Sequence, residues 1–405
     1  MNYFSIILGK ATIVTLVTGL LGFISMGVNI IVARTLHVDM YGLFSMFLAA
    51  GGMLGILMEG GIKHLIQRSV DNNLSFESLI VIQIKNIILI NLIVLIFGLS
   101  FYKHFLIEVT ITSLCFSCTA IYQCFSYYLK GRGKFSEDSL WNVANRILSA
   151  SCIIFILYMF QNSITLLFMA WALPVFLIII LMSKFYAISY NWKAFPNFSN
   201  YKLLFPLLII DIGLILSTKI DIIFMGIINF AATEVGYFAA GFKIIEIVII
   251  LAIPTSIVLF KPFKKEFEGS KKLPLFTIFS VLIGICIGIS YYIIIYNFID
   301  EIILLIYGNN YLGSSKYALD LAFLPILIIP NLIMFQAILA TNNEHLYFKL
   351  LITSCLAHFL IIIIMNDNNT TYILDGIYMN QLITFLGSLM ILVKSYIKII
   401  KNHLL

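Results

Sequence analysis

Several charged residues interrupt apolar runs, and these are the residues that could do chemistry. In "STKIDIIFMG" (217–226), Lys219 and Asp221 lie within an otherwise apolar segment. A lone ion at the centre of a bilayer costs from about 3 to more than 10 kcal/mol, depending on the measure. Such residues bind an anionic substrate, exchange a coupling ion or pair with one another.

The charges of this run are predicted to face different neighbours. Residues two positions apart on an α-helix are about 200° apart, so Lys219 and Asp221 point in nearly opposite directions. Lys243 and Glu246 are three apart and share one helix face. Glu246 is a predicted partner for Lys219, and Lys243 for Asp221. The alternative is that a base meets an anionic substrate, or that Asp221, Glu246 or Asp211 takes up and releases a proton or Na⁺.

Two further bases lie about two turns inside apolar segments, Lys85 and Arg146. Arg146 is the better candidate for binding an anionic group, because a planar guanidinium can bind two oxygens of such a group at once. Snorkelling of the long side chains to the lipid headgroups is the alternative. The predicted substrate-binding bases are therefore Arg146, Lys219, Lys85 and Lys243.

The composition places these residues in a membrane. Hydrophobic residues make up 61% of the 405 residues and charged residues 11%, and the mean hydropathy is +1.04. That leaves too little polar surface for a soluble globule. The apolar residues form continuous blocks that could cross about 30 Å as helices. The predicted fold class is an all-α polytopic membrane protein.

The apolar blocks predict twelve spans in two bundles. Ten or eleven spans stay open as alternatives, because Pro325 and Pro330 interrupt the tenth block and the eleventh is short. Six spans precede the basic segment 184–202, so two six-helix bundles around a central cleft are predicted, with domains 1–200 and 201–405. The blocks lie near 11–33, 42–62, 79–101, 108–129, 140–160, 164–183, 203–229, 236–260, 274–297, 316–339, 349–365 and 373–393.

Weak internal similarity supports this division. At an offset of 194 residues, "YGLFSMFLA" (41–49) aligns with "VGYFAAGFK" (235–243), although chance similarity is an open alternative. The glycines of "AAGGMLGILMEGG" (49–61) allow close helix contact within the first bundle.

Lysine and arginine residues fall mostly on one side of the predicted spans. With the N-terminus inside, cytoplasmic segments hold 18 of them and the opposite loops hold 3. Both termini are therefore predicted to be cytoplasmic. The formal charge of +6 then follows from topology and attraction to anionic lipid, and nucleic-acid binding is not needed. The pair Cys115 and Cys118 lacks a second pair or a histidine cluster, so packing is predicted and a metal site is not.

Three stretches carry a family resemblance. In "VARTLHVDMYGLFSMFLAAGGMLGILMEGGI" (32–62) a base precedes a short loop that ends in tyrosine-glycine. The stretch 216–268, which begins "LSTKIDIIFMGIINFAATEVGYF", has an acidic residue at Asp221, and "LLIYGNNYLGSS" (304–315) precedes the tenth span. Together with the twelve-span layout, they resemble the Wzx-type O-antigen and polysaccharide flippases of the multidrug/oligosaccharidyl-lipid/polysaccharide exporter (MOP) superfamily. Arg34 occupies the position of the base that precedes the loop in that family, so it joins the predicted substrate-binding residues. An ordinary interfacial role is the alternative for Arg34.

The resemblance implies a transporter and not an enzyme. It implies that an undecaprenyl-pyrophosphate-linked oligosaccharide crosses the bacterial inner membrane from the inner to the outer leaflet by alternating access, for O-antigen, lipopolysaccharide or capsule synthesis. The implied partners are this lipid-linked substrate, membrane lipids, H⁺ or Na⁺, a polysaccharide polymerase and a chain-length regulator, with no cofactor. The alternatives are a multidrug or small-solute exporter of the same superfamily and a membrane-embedded polysaccharide polymerase.

Overall fold

The structure is a computed structural model. It describes residues 3–68, 76–101, 103–160, 163–188, 190, 192, 198–228, 230–269, 274–341, 343–364 and 370–404. These residues form fourteen α-helices and two short 3₁₀ turns, and they contain no strand. The prediction of an all-α membrane protein is confirmed.

The chain divides into two compact units, Met1–Lys219 and Ile220–Leu405. The division falls within one long helix, α8. The domain boundary after residue 200 stays a prediction. The helices of the first unit are α1 (Tyr3–Thr35), α2 (Val38–Glu59), α3 (Ile62–Arg68), α4 (Phe76–Phe101), α5 (Leu106–Gly131), α6 (Phe135–Met159), α7 (Ile164–Phe185) and the first part of α8 (Phe198–Ile227). The second unit continues from α8 into α9 (Ala232–Gly269), α10 (Leu275–Ile306), α11 (Ser314–Leu321), α12 (Leu324–Ala340), α13 (Glu344–Ile364) and α14 (Thr370–Leu404).

In the first unit, α5 packs against α2, α3, α4 and α7, while α6 packs against α1 and α7. Glycine allows the contact between α2 and α5. A Cβ added at Gly51 would lie 2.4 Å from the ring of Phe116, so a larger residue would require the ring or the helices to shift. The predicted close contact at the glycine-rich segment 49–61 is confirmed.

The second unit repeats part of this order of neighbours. Here α12 packs against α9, α10 and α14, and α13 packs against α14. When the spans of each unit are numbered in order, the fourth span contacts the second, third and sixth, and the fifth contacts the sixth. The same packing order in both halves supports the internal repeat indicated by the sequence.

Nine helices in the described part of the chain are long and apolar enough to cross a membrane, and a bent pair gives a tenth. The pair is α11 with α12, which meet at 47°, and Pro325 lies in the first turn of α12. The predicted break in the tenth span is therefore confirmed. The eleventh span is not short, because its apolar helix already begins at Glu344. Predicted spans 1 and 7 correspond to α1 and α8.

Candidate functional site

A stripe of polar residues runs along one face of α6. Asp138, Asn142 and Arg146 are spaced by four residues and so share that face. The buried Asp138 carboxylate accepts hydrogen bonds from Ser126 Oγ at 2.6 Å and from Asn142 Nδ2 at 2.9 Å. The hydroxyl of Tyr122 donates to Asn142 Oδ1 at 3.0 Å. Other protein groups therefore form hydrogen bonds with the side chains of Asp138 and Asn142, the first two residues of the stripe.

Arg146 differs from these neighbours, because it lines a cavity of about 80 Å³ within the first unit. Within the described ranges it has neither an ion-pair nor a hydrogen-bond partner. The polar or aromatic residues that line the cavity with it are Ser25 and Asn29 of α1, Ser149 of α6 and Trp171 of α7. The arrangement offers an unneutralised guanidinium inside an apolar bundle, where an anionic oxygen would find a charge-assisted donor.

The size of the cavity limits what it could hold. Pockets for whole small-molecule ligands usually enclose about 300 to 1,000 Å³. The space at Arg146 is smaller, so it fits one anionic group of a ligand and not the whole ligand. All five predicted substrate-binding bases lie in the described ranges. Of these five, Arg146 alone lines this cavity.

The other three predicted bases of the first unit, Lys85, Arg34 and Lys219, do not line this cavity. Lys85 Nζ donates to the carbonyl oxygen of Trp192 at 3.1 Å. Arg34 is exposed at the end of α1, and Lys219 is half-buried on α8. The structure does not bring these residues together at the Arg146 cavity.

A cluster of buried ions lies where α2, α3 and α8 meet in the first unit. Lys63 Nζ is 2.5 Å from Glu59 Oε2 and 3.1 Å from Asp211 Oδ2, and all three side chains are at most 13% exposed. Asp211, predicted as an ion-coupling or structural acid, therefore has an ion-pair partner. The sequence interpretation missed Lys63, although its i,i+4 spacing from Glu59 is a known signal for a helical ion pair.

The predicted pair of Asp221 with Lys243 is wrong. Lys243 pairs with Glu246 one turn further along its own helix, which satisfies the lysine locally. Asp221 instead lies 2.9 Å from Nε2 of His358, which belongs to α13. The sequence interpretation missed His358, although an ionisable residue within the apolar run "SCLAHFLIIII" (354–364) is itself a signal of a functional position. The pairing of Lys219 with Glu246 stays a prediction.

No protein-family model and no curated protein sequence matches this chain. Solved structures do match it along almost its whole length. An inward-facing multidrug-resistance MATE transporter of the MOP superfamily has a TM-score of 0.71 and 12% identity, and the match covers 96% of this chain and 98% of that one. The lipid II flippase MurJ in an inward closed conformation has a TM-score of 0.70 and 15% identity, with 97% and 90% covered.

The chain has the fold of the MOP transporters. A third match is a MOP transporter from Pyrococcus furiosus with a TM-score of 0.54 and 14% identity, covering 97% of this chain and 92% of that one. That structure is described as having a binding pocket of reversed polarity that suggests a different function. The MOP fold contains twelve helices in two bundles, which agrees with the predicted fold class. At these identities the matches establish the fold, and the substrate must be argued from the residues.

Proposed function

We propose that this protein is a flippase that moves an undecaprenyl-pyrophosphate-linked oligosaccharide from the inner to the outer leaflet of the bacterial inner membrane. The unpartnered Arg146 at the cavity of the first unit carries this proposal. The match to MurJ, which is named a lipid II flippase, supports it, as does the sequence resemblance to Wzx-type flippases.

The physical argument concerns the headgroup. A diphosphate carries negative charge through a region where an isolated ion costs several kcal/mol. A guanidinium without a protein counter-charge can offset part of that cost and can grip two phosphate oxygens at once. The cavity admits only the anionic part, which leaves the glycan to a wider space and the polyprenyl chain to the lipid.

We place the protein in the inner membrane with both termini in the cytoplasm. The asymmetry of 18 basic residues against 3 supports this orientation. The cytoplasmic face is where an oligosaccharide made from cytoplasmic sugar donors would be available. In this setting a polymerase and a chain-length regulator would use the exported unit.

Export of a small solute or drug is the second candidate function, and the match to a MATE transporter favours it. The two functions make different demands on Arg146. A diphosphate needs a cation at this point, whereas a cationic or apolar drug would be repelled by it or indifferent to it.

Lipid binding to the purified protein tests the proposal. The probes are undecaprenyl pyrophosphate and the uncharged alcohol undecaprenol, measured by native mass spectrometry. We expect the protein to bind the diphosphate in preference, and Arg146→Gln to weaken that binding by about 10-fold or more, since hydrogen bonds to charged groups contribute about 1.5 to 3 kcal/mol.

The matched control is Arg132→Gln, since Arg132 is an exposed arginine of the same unit that stacks on Tyr128. The control should bind the diphosphate as the unmodified protein does. Equal binding by Arg146→Gln and the unmodified protein would contradict the role given to Arg146.

A further inference from the structure

A buried acid and a buried histidine meet in the second unit. Asp221 of α8 and His358 of α13 place Oδ1 and Nε2 2.9 Å apart, and their side chains are 4% and 1% exposed. The two atoms are not aligned as a hydrogen bond, so the contact is a close electrostatic one. The other ring nitrogen of His358, Nδ1, has no hydrogen-bond partner in the described ranges.

The imidazole of His358 also packs closely against a third helix, α14. A Cβ added at Gly376 of α14 would lie 2.5 Å from Cδ2 and 2.9 Å from Nε2 of His358. Any larger residue at this position would require the imidazole to shift. Asn380, one turn further along α14, is also buried. The imidazole is therefore enclosed by α8, α13 and α14.

Among the described residues of the helices around the ring, few other side chains carry charge. The helix α12 carries no ionisable side chain. On α14, Asp375 is exposed, and the hydroxyl of Tyr378 donates to a backbone carbonyl. On α8, Lys219 lies two residues from Asp221 and therefore about 200° around the helix. On α13 itself the nearest ionisable residue is Cys355, whose thiol is half-buried. The carboxyl group of Asp221 is thus the ionisable group that faces the ring at 2.9 Å.

We infer that Asp221 and His358 form a proton-binding site that holds α8 against α13. The inference builds on the transport function proposed above, for which it assigns H⁺ as the coupled ion. The proton comes from water on one side of the membrane and returns to water on the other, and no other group changes its bonds.

The charge balance explains why the proton matters. With a neutral imidazole the buried pair carries one negative charge, and with one proton added it is neutral overall. An uncompensated charge in an apolar interior is costly, so proton uptake favours the closed contact and proton loss favours separation of the helices or entry of water. Histidine suits this role, because its charge changes near physiological pH.

The geometry favours H⁺ over Na⁺. A hard cation is bound by several oxygen ligands. Here the carboxylate already faces an imidazole nitrogen at 2.9 Å, and a protonated ring would repel a metal cation. Binding of Na⁺ is therefore the alternative outcome of the test.

The test measures the distance between α8 and α13 as a function of pH. Spin labels are attached to cysteines introduced at Ile227 and Ile363, which are 60% and 45% exposed, after the six native cysteines have been replaced. The distance distribution is recorded by pulsed electron paramagnetic resonance of the whole chain in lipid nanodiscs. The samples are held at about pH 5 and about pH 8, with either NaCl or choline chloride.

We expect a narrow distribution at about pH 5 and a broader or longer one at about pH 8, in either salt. His358→Gln and Asp221→Asn should each abolish this difference. The matched control is His345→Gln, since His345 is exposed near the start of the same helix, and it should keep the difference. If a single variant does not fold, the double variant His358→Gln/Asp221→Asn leaves no buried ion and serves in its place.

Two results would overturn the inference. One is a pH-dependent difference that persists in His358→Gln. The other is a distribution that responds to NaCl and not to pH, which would mark a Na⁺ site. The samples contain no lipid-linked glycan, so a failure here is distinguishable from a failure of the undecaprenyl pyrophosphate test.

Discussion

Replacing Lys63 with methionine should destabilise the first unit far more than replacing an exposed lysine. Lys63 lies between Glu59 at 2.5 Å and Asp211 at 3.1 Å, and all three side chains are nearly buried. At an effective dielectric constant of about 20, each contact corresponds to about 5 to 7 kcal/mol of gross attraction, most of which offsets the cost of desolvation. Lys63→Met removes the cation that contacts both buried carboxylates, for which the expected cost is about 3 to 5 kcal/mol.

Two further variants give reference values for the loss of stability expected from Lys63→Met. Lys134 is 3.0 Å from Glu137, but both side chains are at least 40% exposed, so Lys134→Met should cost at most about 1 kcal/mol. Asp211→Asn keeps the contact between Lys63 and Glu59, so its effect should lie between those of the two lysine variants.

The assay is the temperature at which purified protein loses its monodisperse peak in size-exclusion chromatography. Lys63→Met should lower that temperature clearly and Lys134→Met should not. Equal loss in the two lysine variants would refute the reasoning, because it would mean that burial of the cluster does not determine its contribution.

Two further predictions concern topology and span 7. The topology test uses protein without native cysteines, into which single cysteines are introduced. Cysteines at 366–372 should react with an impermeant thiol reagent added from outside, and cysteines at 261–272 should not. The reverse pattern would invert the proposed orientation. The second test combines Lys219→Glu with Glu246→Lys. If an anionic substrate needs the positive charge of Lys219, the double variant should restore the amount of protein that the single variants lose, but not the surface glycan. Recovery of both would mean that Lys219 is a structural partner of Glu246.

The sequence predicted the fold well because hydropathy is a property of each segment by itself. Each signal acts locally or on one neighbouring helix. These signals are the spans of about twenty apolar residues, the prolines of the tenth span and the glycines near Gly51. The repeated order of packing also follows from two halves with matching spans, although only a few aligned residues indicated it.

The partners of the charged residues could not be predicted in the same way. Lys243 shares a helix face with Glu246, so the two can pair within one helix without any contact to Asp221 on another helix. The contact of Asp221 with His358 joins helices that are more than a hundred residues apart in the chain, and it depends on space left by Gly376 of a third helix. Side-chain direction across three helices is not encoded in the spacing along any one of them.

Deletion of the gene in its own host tests the central claim most directly. The measurement follows surface polysaccharide together with undecaprenyl-pyrophosphate-linked oligosaccharide at the cytoplasmic face of the membrane. A flippase predicts that surface polysaccharide is lost, that the lipid-linked oligosaccharide accumulates inside, and that the intact gene reverses both changes. Unchanged surface polysaccharide combined with increased sensitivity to drugs would contradict the account and would identify the protein as a drug exporter.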